Sequence, residues 1–135
     1  MKSSSLLFAL LLGALFGSAQ ANPALLAQYQ QQAKQQNPAF SGFSTERGKA
    51  LYYRESTASG KTMSCASCHT SDPRKPGKTP AFRTLEPFAP SITPARFSDV
   101  KKVEKWFLRN CDDVFKRECS PQEKGDLLSW ILTVK

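Results

Sequence analysis

The chain has 135 residues, 40% of them hydrophobic and 22% charged, with a formal net charge of +8 at pH 7. That length supports one domain with one modest core, which a bound cofactor would usefully enlarge, and it excludes a multidomain machine. A basic excess of this kind suits nucleic acid in a cytosolic protein, but the N-terminal segment described next argues for export and removes that partner.

Lys2 precedes an apolar run from Leu6 to Phe16, and Ala19-Gln20-Ala21 completes the A-x-A pattern that signal peptidase reads. The run is too short for a bilayer span, which needs ~20 apolar residues. Residues 1–21 are therefore expected to be a signal peptide and residues 22–135 the mature domain, with Asn22 first. No cysteine follows the run to anchor a lipoprotein, and no second apolar stretch predicts an integral membrane span. Loss of Lys2 lowers the formal charge from +8 to +7. Such a surface suits either steering toward an acidic redox partner or an anionic membrane face, or else plain solvation. The expected compartment is the periplasm, where paired cysteines are oxidised or otherwise consumed.

Residues 24–37 predict a short helix with Leu25, Leu26, Tyr29 and Ala33 on one face, stopped by Pro38. A second helix starts at the N-cap candidates Ser44 or Thr45 and runs to Arg54. Residues 57–63 form a loop. Residues 72–97 carry Pro73, Pro76, Pro80, Pro87, Pro90 and Pro94 and fit neither a long helix nor a strand. A segment of that length is expected to wrap something. Gly77-Lys78-Thr79 is not a phosphate loop, because Asp72 stands where that motif needs glycine and no strand precedes it. Ser98 is the expected cap of a helix ending at Asn110, with Val100, Val103, Phe107 and Asn110 on one face. The last helix opens with Ser120, Pro121 and Glu123, a capping box with proline at the first position. Leu127, Leu128, Trp130 and Ile131 supply its apolar side. The fold class is all-α, and no internal repeat is visible.

Cys65-Ala66-Ser67-Cys68-His69 is C-x-x-C-H, the attachment signature of c-type haem. Two cysteines three apart on a turn can each form a thioether with a haem vinyl group, and the adjacent histidine reaches the iron as proximal ligand. A thioredoxin-like pair would need a βαβ context, and a zinc site would need four ligands, which this chain does not supply. One motif means one covalent haem c. The expected pocket wall is Phe82, Leu85, Phe88, Ile92 and Phe97 from the proline-rich stretch. Gly48 and Tyr52 sit where one helix can cross the C-terminal helix closely, at Leu127 or Leu128 and Trp130 or Ile131, the pairing of class I cytochromes c.

A sixth iron ligand is hard to find. His69 is the only histidine, and Met63 lies on the attachment side, two residues before Cys65. The remaining candidates are Asn110, Lys101, Lys102, Lys105, Tyr52, Tyr53, water or an open position. Asn110 shares the apolar stripe of its helix, so it reads either as a ligand or as the helix C-cap.

The run PFAPSITPARFSDVKKVEKWFLRNCDDVFKRECSPQEKGDLLSW, together with SCASCHT, resembles the sphaeroides haem protein family, monohaem cytochromes c related to cytochrome c″. The resemblance covers most of residues 22–135 and implies a class I cytochrome c-like fold. It also implies Cys65 and Cys68 as thioether cysteines, His69 as proximal ligand, and Asn110, directly before Cys111, as distal ligand. Cys111 and Cys119 match the family's disulfide, which would pin the turn beside Asn110. An amide oxygen is a weak ligand for reduced iron, so reduction is expected to release Asn110 and open the iron to O₂, CO or NO. The expected role is electron transfer with a redox partner, another c-type cytochrome, through a redox-switched haem. The alternative is a haem enzyme or gas sensor: an oxidase component, an NO-consuming activity, or an O₂ or NO sensor. No catalytic acid–base pair can be named.

Overall fold

Ser44 shows how the chain is set out, because one residue caps a helix and anchors it to another. Its Oγ accepts from the Arg47 amide at 3.2 Å, and its own amide donates to Asp126 Oδ1 at 2.7 Å. The computed structural model describes residues 23–135, and the expected signal peptide lies outside them. The elements are α1 (Pro23–Gln36), α2 (Thr45–Tyr53), α3 (Cys65–His69), β1 (Gly77–Lys78), β2 (Thr84–Leu85), α4 (Val100–Phe115) and α5 (Pro121–Ile131). Among the described residues the architecture is all-α apart from the short antiparallel pair β1–β2 and an isolated bridge between Ser56 and Met63. That pair corrects the reading of the proline-rich stretch as strand-free, since Gly77, Lys78, Thr84 and Leu85 lie between prolines and keep their amides.

The dominant packing is α2 across α5, with α1 covering α5 from another side. A β-carbon on Gly48 would lie 2.0 Å from the Asp126 carbonyl oxygen, so only glycine permits this crossing. Asp126, buried at the crossing, also receives Arg47 Nε at 2.7 Å and Nη2 at 3.0 Å. Leu25, Tyr29 and Ala33 of α1 are buried, as their spacing predicts. Around them Tyr52, Phe107, Leu127, Leu128, Trp130 and Ile131 form one continuous core.

Helix α4 departs from expectation at both ends. Its N-cap is Asp99 rather than Ser98, with Asp99 Oδ1 accepting from the Lys102 amide at 3.1 Å. It also runs past Asn110 to Phe115, and Lys116 in the left-handed region closes it at φ 53°. The reason is burial: Val103, Phe107, Cys111 and Val114 form the inward stripe, so the apolar period continues one turn beyond the asparagine. Asn110 is therefore not a helix cap.

Cys111, inside α4, is bonded to Cys119, with Cα atoms 5.7 Å apart. The bridge ties the last turn of α4 to the residue before the α5 cap. On the chain-entropy model a closure this short contributes about 2.5 kcal/mol. The Cys111→Ser/Cys119→Ser double variant should lose a stability of that order in urea unfolding, and dithiothreitol should do the same to the wild type.

The α5 capping box is complete. Ser120 Oγ accepts from the Glu123 amide at 3.2 Å, and Glu123 Oε2 accepts from the Ser120 amide at 2.9 Å. Both Glu123 oxygens also receive the Arg117 guanidinium at 2.7 Å, and Arg54 Nη2 adds a bond at 3.1 Å. The Arg117 bonds lead in holding the Glu123 carboxyl down at about 2. Because the folded value lies below the unfolded one, this stabilisation is complete above about pH 4.5 and is lost as pH falls toward 2. Glu123→Gln should therefore lower the urea midpoint at pH 7, and the gap from wild type should close between about pH 4.5 and 2.

Candidate functional site

The attachment motif is held as a single short helix. The Ser64 amide donates to Ser67 Oγ at 2.9 Å, which starts the turn and presents Cys65, Cys68 and His69 along α3. The turn ends abruptly at Thr70, whose φ of 65° is costly for a β-branched residue. Tyr52 holds that turn: its hydroxyl reaches the carbonyl oxygens of His69 and Thr70 at 3.0 and 2.7 Å. Burial raises the Tyr52 hydroxyl well above its ordinary value, so it remains a donor. Tyr53 does the same for Ser71, at 2.7 Å. From the other side Gly77 packs on the end of α3, where a β-carbon would stand 1.9 Å from the Cys68 carbonyl oxygen.

The His69 ring lies 4.7 Å from that of Phe88, centroid to centroid. Phe88 stacks on Tyr52 at 5.7 Å and meets Phe97 edge-on at 5.4 Å. Phe97 is itself held at φ 63°, in the left-handed region. Arg96 braces this wall, its Nε donating to the Pro87 carbonyl at 3.0 Å and its Nη2 to that of Glu86 at 2.6 Å. Of the expected wall residues, Phe88 and Phe97 are in place and Leu85 is half-buried, while Phe82 and Ile92 are exposed and stand outside the core.

Burial, with the Arg96 cation second, brings the His69 imidazole down to about 4. It is therefore neutral at pH 7, the state in which an imidazole nitrogen ligates a metal. Its Nδ1 is buried without a hydrogen-bond partner among the described residues. The Cys65 thiol is pushed up to about 11 by burial, and that of Cys68 is raised by burial and by the Asp113 carboxylate. The two sulfurs are not bonded to one another. Neutral, unpaired thiols and a neutral imidazole on one turn are the donor set a covalent haem requires, so these residues fit the group.

Helix α4 bears on the motif through charge. Asp113 acts on Cys68, and Arg54, which acts on Cys65, lies 4.5 Å over the Phe115 ring. Asn110, one turn before Asp113 and Val114, is half-buried. Its carboxamide makes no hydrogen bond among the described residues. The other ligand candidates are placed elsewhere: Lys101, Lys102 and Lys105 are exposed, both tyrosine hydroxyls are engaged by carbonyls of the attachment turn, and Met63 accepts from Ser59 at 3.5 Å. Residue-by-residue reading missed Arg96, Thr70 and Gly77, whose roles depend on backbone carbonyls.

A helical fold closed by the α2–α5 crossing, with C-x-x-C-H on a short helix against an aromatic wall, defines a class I-like cytochrome c. A family model described as a domain of unknown function (DUF1924) matches residues 38–131. Cytochrome c-type protein SHP of Cereibacter sphaeroides is 48% identical over 88 residues, 64% of this chain and 67% of SHP. The chain belongs to this family, that of the sphaeroides haem protein and cytochrome c″, and carries one covalently attached haem c with its iron.

The solved structures agree. Oxidized SHP, an oxygen-binding cytochrome c, superposes with a TM-score of 0.73 at 40% identity, covering 82% of this chain and 96% of SHP. Oxidized cytochrome c″ of Methylophilus methylotrophus gives 0.75 at 36% identity, covering 83% of this chain and 93% of that one. Its solution structure, which bears on haem-ligand detachment, gives 0.72 at 37% identity, with 82% and 90% covered. Among the described residues no helix is long and apolar enough to cross a membrane.

Proposed function

We propose that the protein is an exported, periplasmic electron-transfer cytochrome whose iron opens to a diatomic gas on reduction. In this reading residues 1–21 are removed and residues 22–135 form the working domain. Cys65 and Cys68 hold the haem, His69 is the proximal ligand and Asn110 the distal one. The haem supplies a reversible one-electron change and, at an open position, affinity for O₂, NO or CO.

The observation that carries the reading is the Asn110 carboxamide, half-buried on α4 one turn before Asp113 and without a hydrogen-bond partner among the described residues, while the competing side chains are exposed or engaged elsewhere. A half-buried carboxamide that no protein group engages is free to turn toward a metal. The rest of the chain keeps the proximal side rigid. Tyr52 and Gly77 fix the turn after His69, and Phe88 and Arg96 fix the ring. The Cys111–Cys119 bond clamps the turn next to Asn110, so its side chain can leave and return without fraying α4. Oxygen binding in SHP and haem-ligand detachment in cytochrome c″ support the same reading.

The test is the visible spectrum of the reduced protein with and without CO. A high-spin reduced spectrum that changes on adding CO supports the switch, whereas a low-spin spectrum indifferent to CO sinks it. Mature protein beginning at Asn22, read by N-terminal sequencing, tests the export step.

A further inference from the structure

The outward side of α4 is a basic surface built around one aromatic ring. Lys102, Lys105, Trp106 and Arg109 recur at i, i+3, i+4 and i+7, one continuous helix face. All four are exposed, Trp106 by 44%. Lys105 Nζ lies 6.0 Å and Arg109 Cζ 5.5 Å from the Trp106 ring centroid. Among the described residues none of the three cations is in an ion pair: Glu104 is taken by Lys124 at 2.8 Å and Asp112 by Lys116 at 3.7 Å, while Asp99 and Asp113 stand at the two ends of the face. Trp and Arg dominate the energetics of protein interfaces, and clustered uncompensated charge selects partners of opposite sign.

We propose that this face docks an acidic electron-transfer protein, with Trp106 as anchor and carboxylates of the partner meeting Lys102, Lys105 and Arg109. The proposal rests on the electron-transfer reading above and adds where the partner sits. Trp106 is one turn before Asn110, so the partner binds the helix that carries the candidate ligand. A protein fits better than a bilayer. An interfacial helix needs its apolar side free to enter lipid, and that side of α4, Val103, Phe107 and Val114, is buried in the core.

The test is stopped-flow reduction of the haem-loaded protein by flavodoxin hydroquinone, an acidic protein donor, across a range of ionic strength. Dithionite serves as the small-molecule control. Wild-type rates should fall steeply with salt, and Lys102→Glu/Lys105→Glu should slow reduction about tenfold or more at low salt. Trp106→Ala should raise the half-saturating flavodoxin concentration by about tenfold. Lys34→Glu/Lys61→Glu, which carries the same charge change on exposed residues elsewhere, should stay within about twofold of wild type.

Equal slowing in the Lys34/Lys61 control overturns the proposal in favour of net charge alone. An altered CO spectrum in Lys102→Glu/Lys105→Glu overturns it by assigning the cations to the haem. Unchanged flavodoxin rates, with binding to phosphatidylglycerol vesicles lost, replace the protein partner by a membrane. Failure of CO to bind reduced wild type condemns the ligand switch and leaves the docking result standing. Failure of flavodoxin to reduce a wild type that dithionite does reduce overturns the docking and electron-transfer readings together.

Discussion

Replacing Asn110 by histidine should leave the reduced protein low-spin and nearly blind to CO. The two side chains differ in the property the proposed switch depends on. A carboxamide oxygen is a hard, neutral, weak donor that favours oxidised over reduced iron, whereas an imidazole nitrogen is a far stronger donor to both states. Position 110 lies half-buried on α4, one turn inside a helix end clamped by the Cys111–Cys119 bond, so a ring placed there is presented from a rigid support. If that ring occupies the iron about 99% of the time, the apparent affinity for CO falls about 100-fold, because an external ligand sees only the open fraction. Asn110→Ala should do the opposite, giving a high-spin haem in both oxidation states that binds CO at least as well as wild type. Spectra of the oxidised and reduced forms with a CO titration measure both. The ligand assignment falls if Asn110→His titrates with CO like wild type, or if the oxidised Asn110→Ala spectrum matches the native one.

What the sequence made legible was local chemistry with a fixed spacing. Cys65, Cys68 and His69 are close by chain connectivity, and the α5 start at Ser120-Pro121 is a backbone problem solved within four residues. The inward faces of α1 and α5 follow from period alone. The end of α4 was misread for a physical reason. Asn110 looks like a terminus because asparagine tolerates the left-handed cap, yet the burial of Cys111 and Val114 overrides that local preference. The cap passed to Lys116, a residue with no such signature. The supports of the haem site were hidden for another reason. Tyr52, Arg96 and Gly77 act on main-chain oxygens of residues 69, 70, 86, 87 and 68, and carbonyls carry no sequence mark. Phe82 and Ile92 failed as wall residues because hydrophobicity alone does not say which way an irregular segment faces.

Gly48→Ala should be among the most damaging single-methyl additions in the chain. Helix propensity predicts a gain, since alanine favours a helix interior over glycine by about 1 kcal/mol. The tertiary contact opposes it. The added carbon would meet the Asp126 carbonyl oxygen at 2.0 Å, its carbon at 2.5 Å and the Leu127 nitrogen at 2.9 Å, all main-chain atoms that no rotamer change can move. Relief requires α2 and α5 to part, and that displaces Asp126 from the Ser44 amide and the Arg47 guanidinium, where its buried carboxylate is satisfied. It also loosens Tyr52 from Trp130, whose ring centroids are 5.0 Å apart, and so disturbs the hydroxyl that holds the turn after His69. Overpacking of this kind costs about 1–3 kcal/mol, and partial loss of a buried carboxylate's partners adds to it, so the net loss should reach about 3 kcal/mol in urea unfolding of the haem-loaded protein. Gly48→Val should accumulate little folded protein. Gly60→Ala is the control: its φ of 81° strains any side chain, but no atom lies within 4 Å of the added carbon, so its loss should stay near 1 kcal/mol. A Gly48→Ala protein as stable as wild type would mean that the α2–α5 crossing opens without resistance, and with it the support that Tyr52 gives the haem turn.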